Sequence, residues 1–150
     1  MNKTILKTGL IAGTLDISAA SINFIVTTGR NPVLVLKYIA SGIFGKELAY
    51  SNEFMPIIGL FLHYLIAFSF TIFFFGVYPK IKNYNLNWKI LGVLYGLFVW
   101  VVMNLIIVPL SNTPKRPFTF QGITIGAGIL ILCIGLPIAY FAHKYSKTDS

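Results

Sequence analysis

Hydrophobic positions along this chain neither alternate nor recur at a helical spacing. They come in long runs broken by short polar stretches. Four runs stand out: about Ile5 to Thr27, Phe54 to Tyr78, Trp88 to Leu110 and Phe120 to Ala142. A helix needs about 20 apolar residues to cross a bilayer core, and each run is that long. Inside lipid the backbone must bond to itself, so such runs form helices. The pattern predicts an all-α polytopic membrane bundle: four transmembrane helices in a single domain covering residues 1–150. Pro109, Pro114 and Pro117 mark the end of the third run, and Pro137 is placed to kink the fourth.

Between the first two runs lies "RNPVLVLKYIASGIFGKELAYSNE" (Arg30–Glu53). Asn31 and Pro32 suit a helix start, and Gly42 and Gly45 suit its end. The helix expected over about 32–45 has an apolar stretch, Val33 to Phe44, of only ~18 Å, too short to cross. It is expected at the membrane interface, with an ordinary loop helix outside the membrane as the alternative.

Small residues recur four apart at Gly9 and Gly13, Gly92 and Gly96, and Gly122 and Gly126. Each pair offers a groove for close helix packing. "GLIAG" (Gly9–Gly13) and "GVLYG" (Gly92–Gly96) each precede an intramembrane asparagine, a faint sign of related hairpins.

Within the first run, "GLIAGTLDISAASINF" (Gly9–Phe24) carries Asp16, one of only four acidic residues in the chain. Gly9, Gly13, Asp16, Ala20 and Asn23 fall on one helical stripe, which turns the carboxylate toward protein rather than lipid. The second run repeats the stripe with Gly59, His63 and Ala67. Counting helical rise puts Asp16 and His63 within about one turn of each other in depth. A polar cluster of Asp16, His63, Asn104 and Asn23 is therefore the candidate site, with His63 as the partner of Asp16.

Composition agrees with a membrane protein. Of 150 residues, 56% are apolar and 11% charged, against about a quarter charged in soluble domains. The mean hydropathy is +0.77. The net charge of +8 is scattered singly or in pairs between apolar runs, which favours anionic lipid over nucleic acid as a partner. The single cysteine, Cys133, excludes an internal disulfide and fits a small packing residue. No metal or cofactor motif appears. The N-terminus has the basic flank of a secretory signal, but Asp16 interrupts its apolar stretch and more runs follow, so an uncleaved first span is expected.

From "VYPKIKNYN" (Val77–Asn85) through "LGVLYGLFVWVVMNLIIVPLSNTPKRPF" (Leu91–Phe118), about a third of the chain resembles the YagU-like bacterial inner-membrane proteins. Shared features are a span ending in Tyr-Pro-Lys-Ile-Lys, a small-residue-rich third span and a proline-rich loop. "GLIAG" is also similar. The longer cysteine-containing loop of that family is missing after the first span. The resemblance implies a small inner-membrane protein and no catalytic residues.

Three functions compete on these residues. A structural or accessory membrane protein would use the cluster as interhelical glue. A proton-coupled transporter or channel subunit would use Asp16 as the proton carrier and would act as a homo-oligomer. An intramembrane enzyme finds triad residue types in Asp16, His63 and Ser18 but no nucleophile elbow, so no enzyme is expected. The order of expectation follows the order given.

Lys3, Lys7, Lys80, Lys82, Lys89, Lys144 and Lys147 flank one side; Arg30, Lys37, Lys46, Lys115 and Arg116 flank the other. The bias favours both termini in the cytoplasm. Cysteines introduced at Ser146 and Thr113 test this: in intact cells an impermeant maleimide should label the Thr113 site and spare the Ser146 site.

Overall fold

A computed structural model describes residues 2–84 and 86–148. They are mostly helical, with no strand among the described residues, and four of the helices are long and apolar enough to cross a membrane. The first span is Lys3–Thr28. Asn2 caps it by accepting from the Thr4 amide, and Gly29 closes it at φ +65. The third span begins at Trp88 under an Asn87 cap and ends at Leu110, as expected. The fourth begins at Phe120 under Thr119, whose hydroxyl accepts from the Gly122 amide.

Other boundaries differ from the sequence expectation. The second span runs Met55–Ile81, past the expected end at Tyr78, because Pro79 falls in its last turn and removes just one bond of the ladder. The fourth continues as Leu136–Thr148, beyond Ala142, on a lysine-containing tail. The loop helix is Val33–Phe44. Gly42 does not end it but lies inside it, against Ser111 and Thr113. Gly45, at φ +78, turns the chain directly into an unexpected short helix, Lys46–Ser51.

Two of the spans contain a widened π turn, at Val102–Ile107 and at Ile131–Gly135. The Val108 amide bonds back to Met103, and the Leu136 amide to Ile131, each five residues earlier. Pro109 and Pro137 each stand two residues beyond their π turn. A proline ring collides with the carbonyl four residues before it in an α ladder, and a widened turn moves that carbonyl aside.

The first span packs against the second and the fourth, and the fourth against the third. The second and third meet through large side chains: Phe73 stacks on Phe98, Phe74 meets Tyr95 at 4.5 Å between centroids, and the Tyr95 hydroxyl donates to the Phe70 carbonyl at 2.6 Å. Phe74 and Tyr95 belong to one core with Ala12, Tyr78, Leu91, Val99, Ile134 and Ile138, and Phe70 packs against it; the Phe73 and Phe98 pair lies exposed at its edge. That core fills the half of the bundle nearer the termini. There Asn2 donates to the Tyr145 hydroxyl, Tyr78 bonds His143 and Lys82 donates to Ser146. The loop helix packs on the second span and is tied to the turn after the third, where the Asn112 amide donates to the Gly42 carbonyl at 3.0 Å.

Elsewhere the spans are apolar on all sides. At most 28% of any span's most apolar window is buried, so most of that surface is left for lipid and contact faces are chosen by small residues. Gly9 receives the Phe68 ring, and Gly13 receives Tyr64 and Ala67. Gly92 and Gly96 receive the fourth-span backbone at Leu136, Gly135 and Ile131. The expected groove at Gly122 and Gly126 does not form: Gly122 is exposed and faces only its own Thr119, and Gly126 faces the Trp100 indole. This part of the fourth span splays from its neighbours and has no backbone to receive. Two close approaches lie elsewhere, Gly59 against the Leu36 carbonyl and Gly135 against the Gly92 carbonyl.

A side chain at Gly135 would overlap the third-span backbone, whereas nothing lies within 4 Å of a Cβ at Gly128. Gly135→Val should lower stability by about 1–3 kcal/mol or more, and Gly128→Ala should be neutral or slightly stabilising. Unfolding in a denaturing-detergent titration measures both.

Candidate polar site of the bundle

One stripe of the second span is buried along its whole length: Met55, Gly59, His63, Ala67, Thr71, Phe74 and Tyr78. Steps of three and four place these on one face. In its middle stands His63, one turn before Ala67, which packs at Gly13 of the first span. The His63 Nε2 lies 2.8 Å from the Gly13 carbonyl oxygen on the first span. A carbonyl only accepts, so Nε2 carries the proton and donates. Gly13 has no side chain to shield that oxygen.

The adjacent residues make a second link. The Thr14 and Tyr64 hydroxyls lie 2.8 Å apart, and the Tyr64 ring meets His63 edge-on at 5.5 Å. Together these contacts pin the first two spans in one antiparallel register. The link was missed in the sequence. Its only signal is that Thr14 and Tyr64 immediately follow the two residues that do meet, Gly13 and His63.

The expected hydrogen bond between Asp16 and His63 is replaced by the one to Gly13. The His63 ring donates instead to a main-chain oxygen of the first span. What the depth count missed is register: Gly13 stands directly opposite His63, and Asp16 is about one turn farther along. Among the described residues the Asp16 carboxylate accepts no hydrogen bond. Burial along the first span stops short of it, with Thr8, Gly9, Ala12 and Gly13 buried and Asp16 half-buried. Cys133, half-buried in the π turn of the fourth span, lies within electrostatic reach of Asp16.

The other two members of the expected cluster go elsewhere. The Asn104 amide donates to the Trp100 carbonyl of its own helix at 3.0 Å, a local bond made available in a π turn. Asn104 lines a cleft with Tyr38, Trp100 and Arg116 rather than facing Asp16. Asn23 is half-buried, and its backbone carbonyl accepts from the Thr27 hydroxyl. The four residues therefore do not make one hydrogen-bonded network among the described residues. Ser18 is exposed, so it is turned away from the ring it would need in a triad. No three His, Cys, Asp or Glu side chains among the described residues come together as metal ligands.

Chemically this arrangement is a register lock beside a half-buried carboxylate. His63→Leu removes one interhelical bond and should cost about 1 kcal/mol. Asp16→Asn should leave stability nearly unchanged, because no hydrogen bond to Asp16 is lost. Thermal unfolding of the two purified variants beside the native chain checks both.

Comparison with protein-family models, with characterised proteins and with solved structures finds no match to this chain.

Proposed function

We propose that this chain is a small structural or accessory protein of the bacterial inner membrane, the location its likeness to the YagU-like proteins implies, with both termini in the cytoplasm as the Lys/Arg bias favours. The observation that carries this reading is the His63 to Gly13 bond. The one histidine buried mid-membrane is committed to a neighbouring helix backbone, where it fixes register and leaves no donor at Nε2 for a solute. The packed core in the termini half supports the same reading, since Phe74, Tyr95, Val99 and Ile138 fill the space where a pathway would run.

A second reading has its own support. The half-buried Asp16 carboxylate without a hydrogen bond among the described residues is the group a proton-coupled transporter needs. Because the core blocks a path within one chain, that role would call for an oligomer and a path between copies.

Proteoliposomes bearing an imposed pH gradient and a fluorescent pH indicator separate the two. For an accessory protein, native and Asp16→Asn chains should hold the gradient as well as protein-free vesicles do. Dissipation by the native chain that Asp16→Asn abolishes would replace the accessory reading with transport.

A further inference from the structure

On the side of the bundle away from the termini, the third and fourth spans part around a cleft of about 340 Å³. Its walls include Trp100, Asn104, Gly126 and Leu130, with Tyr38 of the loop helix and Arg116 of the connecting loop. The splay follows from the fourth span itself. Gly122 and Gly126 find no partner backbone, and a Cβ at Gly126 would meet only the edge of Trp100, at 3.2 Å.

The cleft is lined by one charged side chain, and that charge is positive. The Arg116 guanidinium lies over the Tyr38 ring, 4.6 Å from its centroid. This stacking holds the side chain in place without using its N–H donors. Among the described residues Arg116 donates no side-chain hydrogen bond. Its neighbour Lys115 is differently placed: the ammonium caps the third span by donating to the carbonyls of Val108, Pro109 and Ser111 at 3.1, 2.8 and 3.0 Å. A stacked guanidinium with open donors is suited to bidentate contact with a phosphate.

Depth and rim identify what carries that phosphate. From Leu110 at the end of the third span to Trp100 is ten residues, or about 15 Å of helix. Along the helix axis that is half of a hydrocarbon core of about 30 Å, and the Phe118 ring reaches in from the loop to 6.4 Å from the Trp100 ring. Phe118 lines the cleft, and it and two residues close by in the chain, Leu110 and Phe120, are 59%, 83% and 88% exposed. Three such apolar groups next to the arginine place it at the boundary between headgroups and chains. A free anion would gain nothing from the apolar walls below.

We infer that this cleft binds one phospholipid, its phosphate on Arg116 and an acyl chain laid between the third and fourth spans against Trp100, Gly126 and Leu130. The inference needs the membrane-spanning helices and is independent of the choice between accessory and transport roles. The half-buried Asn104, whose amide is held by Trp100, leaves its carbonyl oxygen as an acceptor for a glycerol or headgroup hydroxyl.

The test uses the full chain in detergent carrying Trp88→Phe, so that Trp100 is the remaining tryptophan of the two. Phosphatidylglycerol with brominated acyl chains should quench Trp100 saturably, and native mass spectrometry should show one lipid retained per chain. Arg116→Gln lies on an exposed loop side chain and should weaken retention about tenfold, the worth of a charge-assisted bond. Brominated diacylglycerol, which has the chains and no phosphate, should bind the native protein as weakly as phosphatidylglycerol binds Arg116→Gln. Equal retention of diacylglycerol and phosphatidylglycerol would overturn the proposal in favour of a purely apolar groove. Displacement of the lipid by millimolar inorganic phosphate would overturn it in favour of a free-anion site. Circular dichroism of Arg116→Gln, expected to match the native chain, verifies that any loss comes from the site and not from the fold.

Discussion

The bundle depends on how closely the backbones of its third and fourth spans approach. Lipid tails are as apolar as leucine, so sequestering leucines gives two helices no reason to associate within a bilayer. Gly135 set against Gly92 and Gly96 lets carbonyls and α-carbons of two spans touch. Dispersion over many such contacts then holds what hydrophobicity cannot. With that crossing fixed, Leu91, Tyr95 and Val99 are aimed at Ile134 and Ile138, and the core in the termini half follows.

A different device joins the first two spans. Their glycines receive aromatic rings instead of another backbone, with Phe68 on Gly9 and Tyr64 on Gly13. The rings fill the grooves, and polar links at His63 and Thr14 join the two helices beside them. One pair of spans is thus closed by nearness and the other by ring-and-groove packing with hydrogen bonds. The loop helix adds a third case, Gly59 against Leu36, which makes it part of the bundle rather than an appendage.

The architecture was legible because length and apolarity alone decide which segments span. The third span matches its expected bounds, and the others differ only where a polar tail prolongs a helix. Two of the glycine pairs were legible for the same reason, since a four-residue spacing of small residues has few other uses. Gly135 was passed over because its small partner at four residues is an alanine, Ala139, rather than a second glycine. The candidate site was half legible. Its depth could be counted, which brought Asp16 and His63 near each other, but the acceptor of His63 is a main-chain oxygen, and every residue has one. Asn104 misled for a related reason: an asparagine in a helix can bond its own backbone, and nothing in the sequence distinguishes that from a bond across helices.

The π turns carry a consequence for phase. Each widened turn holds about one residue more than an α turn, so it acts as an insertion absorbed within the helix. At 3.6 residues per turn, one residue corresponds to about 100° of rotation. Everything beyond Ile107 on the third span, and everything before Ile131 on the fourth, is therefore out of phase with the tightly packed halves. Deleting a single residue from Val102–Ile107 would remove that extra rotation and swing Val108 and the loop bearing Arg116 by roughly a quarter-turn, while setting the Pro109 ring back against the carbonyl four residues before it. The two halves of the bundle thus follow separate angular registers, with one set by the glycine crossing and the other free to be tuned by the length of a single turn.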